Sequence, residues 1–317
     1  MKHFHQIPFI KKLLACSPRQ LQGEKKAGDV IAKTLKANSI SFSVQNFNVF
    51  IPKVEKAELM ADGKKIQCKA TSFVSGKIEG KEKIISSMYN FDIDEPDVPN
   101  INFNPYCKGL SCVTHYFAPA LTIRPEDIPK IVKAKKVAAE IKIKKTLHQS
   151  RNFLAGNLKN PKNIFFTHYD SINLGAIDNA SGVSALMAAC AEFPEILKTS
   201  LVVFAGNEEI SYDKPTYWAH GYRVFEKKYF SLMKNAKKII CVDGVGADKA
   251  KVSKDPQFLH QAFPIANSKK FQKKITGIFG RLEKLLPVYH SDLDNIHGLR
   301  VEYLIQAKKL ILAITNK

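Results

Sequence analysis

The stretch FFTHYDSINLGAIDNASGVSALMAAC (165–190) sets His168, Asp170 and Asp178 at the mouth of an apolar segment that runs on into small residues. Imidazole and carboxylate are the donors divalent zinc prefers, and charged groups beside buried chain need a compensating partner. Two further places repeat the pattern. NEE after LVVFAG sets Glu208 beside Glu209, and the apolar run IICVD ends on Asp243. A second histidine, His290, stands in YHSDLDNI. Any one of these carboxylates is equally a helix cap or a surface charge. Adjacent glutamates after so apolar a strand are harder to explain that way, and because one faces away from the other, two roles are natural. Two histidines and three carboxylates make a donor set for hard-to-borderline divalent zinc rather than a thiolate-type site. Five ligand groups with one shared are what two neighbouring metals need for hydrolysis.

The elements that must position these residues are also readable. A helix is predicted near 126–138 and strands near 139–145 and 152–156. NIFFTH then reads as a buried strand, 180–193 as a helix, SLVVFAG (200–206) as a strand and 220–235 as a helix. KKIICVDGVG (237–246) is a further strand, with helices near 268–285 and 297–314. Continuous apolar strands alternating with helices predict an α/β fold with a mostly parallel central sheet covered by helices on both faces. In such sheets functional groups gather at the carboxyl ends of the strands, where His168, Glu208, Glu209 and Asp243 fall.

Upstream, SPRQLQGEKKAGDVIAKTLKAN predicts a helix with Ser17 as cap, Pro18 in the first position and Asn38 at its end. From about 40 to 125, short alternating runs broken by Gly, Asp and Pro, followed by DEPDVPNINFNPYC, predict a small β-rich unit.

The bulk numbers narrow the classes. At 317 residues with 45% apolar and 25% charged content, the chain fits a soluble globular protein of one large or two ordinary domains. Six scattered cysteines do not make a disulfide scaffold. Cys107 and Cys112 read as ordinary reduced thiols, the alternatives being a disulfide or a small metal site with His115. The N-terminus has no apolar core of signal-peptide length, since Lys11 and Lys12 interrupt it, and no window reaches the roughly 18 apolar residues of a membrane span. A cytoplasmic location is expected. The formal charge of 49 − 29 = +20 raises nucleic acid or an acidic membrane as partner. The lysines are nevertheless spread along the chain without an arginine-rich tract, and KIVKAKKVAAEIKIKK reads as a helix and strand with solvated faces, which argues against nucleic-acid binding.

In order along residues 147–315, RNFLAGN, NIFFTHYDS, GAIDNASGVSALM, LVVFAGNEE, IICVDGVG and YHSDLDNI resemble the co-catalytic di-zinc metallopeptidases, the group of bacterial leucyl aminopeptidases, aminopeptidase Y and glutamate carboxypeptidase. A weaker likeness extends to SPRQLQGEKKAGDVIAKTLKANSI, and APALTIRPEDIPKIVKAKKVAAEIKIKK looks like the join between that family's protease-associated insertion and its core. The resemblance implies a zinc-exopeptidase fold with residues 1–45 as the N-terminal helical part of the catalytic domain, 46–125 as the β-rich insertion and 126–317 as the catalytic core. It implies two zinc ions, one remaining possible. Asp178 would bridge them, His168 and Asp243 would complete one site, and Glu209 and His290 the other. Glu208 would be the general base toward a metal-bridging water, and Asp170 would hold the His168 ring.

The implied activity is an aminopeptidase removing N-terminal residues from a peptide substrate, with no indication of oligomeric state. A glutaminyl-cyclase-like single-zinc transferase, a deacylase of N-acyl amino acids and a non-catalytic binding protein on the same fold stay open. Asp292 and Asp294 read as caps of the final helix rather than ligands, His220 and His297 as surface or packing residues, and Tyr289 as either lining the site or packing. After the glutamate pair the family's glycine-rich turn is replaced by ISYDKPTYWAHGYRVF, so substrate preference does not carry over.

Overall fold

The computed structural model describes residues 3–80, 83–88 and 98–315. They form two compact units. One comprises Met1–Val49, Gln149–Leu285 and Asp294–Lys317, and the other Phe50–His148 and Leu286–Leu293. Two of the boundaries, 49/50 and 148/149, fall inside twenty-residue strands, Phe42–Ala61 and Val137–Gly156.

The first unit is built on the strands Asn163–His168, Ser200–Ala205, Lys238–Asp243 and Ile275–Phe279, the first three buried almost throughout. Asn163–His168 lies between Ser200–Ala205 and Lys238–Asp243, parallel to both, with Ala205 opposite His168 and Cys241 opposite Phe166. Ile275–Phe279 adds in parallel beyond Lys238–Asp243, pairing Phe279 with Asp243. The outer pairings run the other way. Lys251–Ser253 is antiparallel to Ile275–Phe279, and residues 153–156 are antiparallel to Ser200–Ala205. The sheet is therefore mixed, not mostly parallel as expected. Its antiparallel neighbours come from a strand that the sequence presents as two short runs and from a segment too short and polar to announce itself.

Side chains alternate between two covered faces. Ile164, Phe166, Leu201, Val203, Ile239 and Cys241 join Tyr222, Phe225 and Met233 of the helix His220–Asn235 in one core. The helix Ser181–Glu192, buried along most of its length, packs on the sheet with Gln6–Leu14 and Val301–Thr315 against it. The run SGVSALMAAC suits that position, because Gly, Ala and Ser let a helix with neighbours on every side approach its strands closely.

Several elements depart from the sequence-based boundaries. The helix expected from Ser17 runs Gln22–Ala37, since the Ser17 hydroxyl is committed to Leu174 O at 2.8 Å and to Arg19 Nη1 at 3.0 Å instead of capping. The left-handed residue beyond it is Ser39, not Asn38. The helix predicted at 268–285 holds ITGIF, which is the strand Ile275–Phe279 between the short helices Ser268–Phe271 and Leu282–Leu285. The helix expected at 126–138 is Ile128–Lys133 after a single turn at Pro125–Asp127.

The second unit is β-rich. Lys64–Ile66 pairs antiparallel with the end of Phe42–Ala61, and Gly76–Glu79 pairs antiparallel with the start of Val137–Gly156. A separate sheet orders Lys69–Ala70, Ala120–Thr122, Asn100–Phe103 and Ile84–Ser86. Leu59, Ile78, Ile101, Leu121, Ile131 and Ile141 form its core. The first four residues of DEPDVPNINFNPYC lie outside the described residues. Among the described residues, no helix is long and apolar enough to cross a membrane.

Candidate metal centre

Parallel register brings the strand ends together. His168 ends its strand opposite Ala205, three residues before Glu208, and Asp243 ends the strand on the other side. Asp178 enters from the left-handed Gly175, ahead of Ser181–Glu192, and is followed by a cis peptide to Asn179. Asn179 then anchors the helix start to the sheet. Its side-chain amide donates to Thr167 Oγ1 at 3.1 Å and Val242 O at 2.9 Å, and its oxygen accepts from Gly182 N at 3.0 Å.

The result is a dense cluster. His168, Asp178 and Glu209 each present a ligand atom, and the three atoms lie within 4.8 Å of one another. His168 Nε2 is 3.2 Å from Asp178 Oδ1 and 3.6 Å from Asp243 Oδ2, while its Nδ1 is 3.5 Å from Asp170 Oδ1. The ring thus has one nitrogen toward a supporting carboxylate and the other toward the carboxylates it shares a site with, the usual division in a metal-ligating histidine. Asp170 does more than face the ring. Both its oxygens accept from Glu208 N at 3.0 Å, and Oδ2 also accepts from Glu209 N at 2.9 Å.

Negative charge is in excess here. Burial pushes the Glu208 carboxyl well above the usual carboxylate range, and Glu209, Asp170 and Asp243 add to the shift against the pull of His168. Burial likewise raises Asp243, with Asp178 adding to it. Burial alone would lower His168, but Asp243 and Glu208, with Asp170 and Asp178 beside the two ring nitrogens, outweigh it and hold the imidazole well above its ordinary value. Asp243 Oδ1 is buried without a hydrogen-bond partner among the described residues. Several buried carboxylates, one imidazole and an orphaned oxygen fit a divalent cation taking N and O donors.

His290 belongs to the other unit, where the left-handed backbone at φ 49° presents its ring. Cys112 N donates to His290 O at 3.1 Å, and His290 Nδ1 lies 3.0 Å from Cys112 O. A carbonyl only accepts, so Nδ1 carries the proton and the lone pair is on Nε2. Asn104 Nδ2 donates to Ser111 Oγ and Leu286 O, and Ser111 Oγ donates to Tyr289 O, sewing 286–290 to the 104–112 loop. Tyr289 stacks on His290 with ring centroids 3.8 Å apart. Cys107 and Cys112 are buried and not joined in a disulfide.

The other residues singled out in sequence take ordinary places or new ones. His297 is exposed, while His220 Nδ1 sits 2.6 Å from Asp213 Oδ2. Asp213 also accepts from Arg223, which donates further to Thr216 O and Trp218 O. This knot pins residues 213–223, and the chain there returns to Asn207 and Glu208 through Gly221 N to Asn207 O and Ala219 N to Glu208 O. Asp292 is exposed, and Asp294 does not cap the final helix, which begins at Val301. Its buried carboxylate instead accepts from the backbone just before Asp178 and at Asp178 itself. Sequence reasoning missed Arg19, whose fully buried guanidinium lies nearby. Its only signal was an arginine in a short polar run ahead of a helix.

No protein-family model and no curated protein matches the chain in sequence. Solved structures do match in fold. A zinc aminopeptidase from Bacillus subtilis superposes with a TM-score of 0.72 at 18% identity, covering 98% of this chain and 93% of that one. A peptidase M28 precursor from Shewanella amazonensis gives 0.66 at 13% identity, covering 98% and 92%. Glutaminyl cyclase from Porphyromonas gingivalis gives 0.53 at 14% identity, covering 98% and 96%. At these identities the likeness establishes the mixed α/β fold that these proteins share with this chain.

Proposed function

We propose that this chain is a zinc-dependent exopeptidase, and within that class an aminopeptidase. The observation that carries the reading is the meeting of His168, Asp178 and Glu209 ligand atoms within 4.8 Å, with Asp243 beside them and Glu208 next in the chain. Similarity to structures described as zinc aminopeptidases supports it, at higher TM-scores than the similarity to glutaminyl cyclases. His168, Asp178, Asp243 and Glu209 hold zinc in this reading. His290 takes a ligand role on the strength of the sequence resemblance, for two ions in all.

When bound, zinc supplies positive charge that acidifies water and polarises a carbonyl. The protein groups do the rest. Glu208 would take the proton of the attacking water on its carboxylate and deliver it to the nitrogen of the leaving amine. Asp170 fixes where that carboxylate starts by holding the Glu208 amide. The peptide bond breaks next to the free N-terminus, releasing one amino acid.

The test is metal analysis of the purified protein, then hydrolysis of a panel of aminoacyl chromogenic amides with and without chelator. Two zinc equivalents and chelator-sensitive release of free amino acid are expected. One metal equivalent with pyroglutamate formation from N-terminal glutamine would instead assign the transferase reading. Absence of bound metal would remove both.

A further inference from the structure

The five residues from Leu174 to Asp178 are gripped by two oppositely charged, buried side chains. Arg19 takes the carbonyls at the start. Its Nη1 donates to Leu174 O at 2.6 Å and its Nη2 to Gly175 O at 2.9 Å. Asp294 takes the amides at the end. Its Oδ1 accepts from Ile177 N at 2.7 Å, its Oδ2 from Asp178 N at 3.0 Å, and its main-chain oxygen from Ala176 N at 3.1 Å. Every peptide group along this path is oriented by one or the other.

Arg19 also reaches the first ligand. Its Nε donates to Tyr169 O at 2.6 Å, the carbonyl between His168 and Asp170. One planar fork therefore spans both ends of the 168–178 connection, which a point charge on a flexible stem would not do. Gly175 completes the device. It sits at φ 65°, and a Cβ there would meet Asp178 O at 2.3 Å and Arg19 Nη2 at 2.7 Å.

We propose that Arg19 and Asp294 are positioning residues that hold the Asp178 carboxylate against His168 independently of metal, so that zinc enters a site already shaped for it. The proposal rests on the zinc reading given above. Both act through the main chain that carries Asp178, Asp294 at the Asp178 amide itself and Arg19 at the carbonyls of Tyr169, Leu174 and Gly175 ahead of it. Burial pushes the Asp294 carboxyl up to about 7, with Asp178 adding to the rise, while the two amides and Arg19 oppose it. The clamp is thus built from groups whose desolvation is offset by each other and by the chain they hold.

The test uses the full-length protein and the variants Asp294→Asn and Ser17→Ala. The asparagine keeps the shape but turns one N–H donor toward an amide. The alanine removes the hydroxyl that donates to Leu174 O and accepts from Arg19 Nη1. Zinc affinity is read by competition with a chromophoric chelator, well below each variant's thermal midpoint, alongside kcat at saturating zinc. Asp294→Asn is expected to weaken zinc about 10–100-fold and Ser17→Ala by less, with kcat largely restored by excess zinc. Folded variants that bind zinc as tightly as the wild type would overturn the clamp. Should Asp294→Asn fail to fold, Ser17→Ala alone decides. A wild-type protein that binds no zinc would overturn the functional reading itself, and the clamp with it, which the same titration distinguishes.

Discussion

The carboxylate of Asp170 straddles the backbone amide of Glu208, with both oxygens 3.0 Å from that nitrogen. The same group stands 3.5 Å from His168 Nδ1, so one side chain orients a metal-type ligand and the proposed base together. Asp170→Asn turns an amide N–H toward Glu208 N or His168 and leaves a buried donor unmet. Zinc affinity and kcat/KM should each fall about 10–100-fold, read by chelator competition and by hydrolysis of a chromogenic amide. Unchanged zinc binding would limit Asp170 to supporting the glutamate backbone.

Glu208→Gln separates holding metal from moving a proton. The glutamine keeps the volume and the Asp170 contact, which is to the backbone, but does not accept a proton at neutral pH. Zinc content should match the wild type while kcat drops about 10²–10⁴-fold. Full turnover in that variant would remove the proposed base.

Zinc should stabilise the fold measurably. Burial pushes Glu208 and Asp243 up with neighbouring carboxylates adding to the shift, and the carboxylates around His168 outweigh its burial and raise it above its ordinary value. A cation relieves that repulsion only in the folded state. At zinc one hundred times above its dissociation constant the gain is about 2.7 kcal/mol for one site, visible as a higher thermal midpoint than in chelator. An identical midpoint with and without zinc would contradict the site.

Acid should destabilise the unit containing His115. Burial, with His290 adding to it, pushes His115 from 6.5 down to about 3. Its folded value lies below its unfolded one, so the folded state binds fewer protons between them. The stability it contributes is complete above about 6.5 and is lost as pH falls toward about 3, at about 1.4 kcal/mol per pH unit. His115→Phe should flatten the fall in thermal midpoint over that window. A parallel fall in both proteins would show that other groups carry the acid sensitivity.

The knot around Arg223 should matter for stability but not for metal. Arg223→Ala leaves Asp213 with His220 alone, frees the Thr216 carbonyl and leaves Trp218 O with the Thr216 hydroxyl as donor. A loss of about 3 kcal/mol is expected, a fall in midpoint of about 5–10 °C, with zinc content unchanged. Loss of zinc instead would mean that the segment shapes the centre.

The strands ending at His168, Ala205 and Asp243 were legible because a strand buried on both faces leaves an unbroken apolar run. The polar residues just beyond such runs mark where the sheet stops. Which backbone groups Asp170, Asp294 and Arg19 hold was not legible. Asp170 meets amides 38 and 39 positions away, Asp294 meets amides 117 and 116 positions away, and Arg19 reaches carbonyls 150 to 156 positions away. No local pattern encodes those distances. Asp294 was read as a cap because an aspartate before a helix looks the same whichever amides it accepts from. ITGIF was absorbed into a helix because five residues flanked by lysines and a glycine are too few to show a period.

The segment 211–221 meets Asn207 and Glu208 through main-chain atoms, Ala219 N donating to Glu208 O and Gly221 N to Asn207 O. Such an attachment is indifferent to side-chain identity. Side chains along the segment that stand outside the Arg223 knot could be exchanged in evolution without moving the backbone on which Glu208 sits.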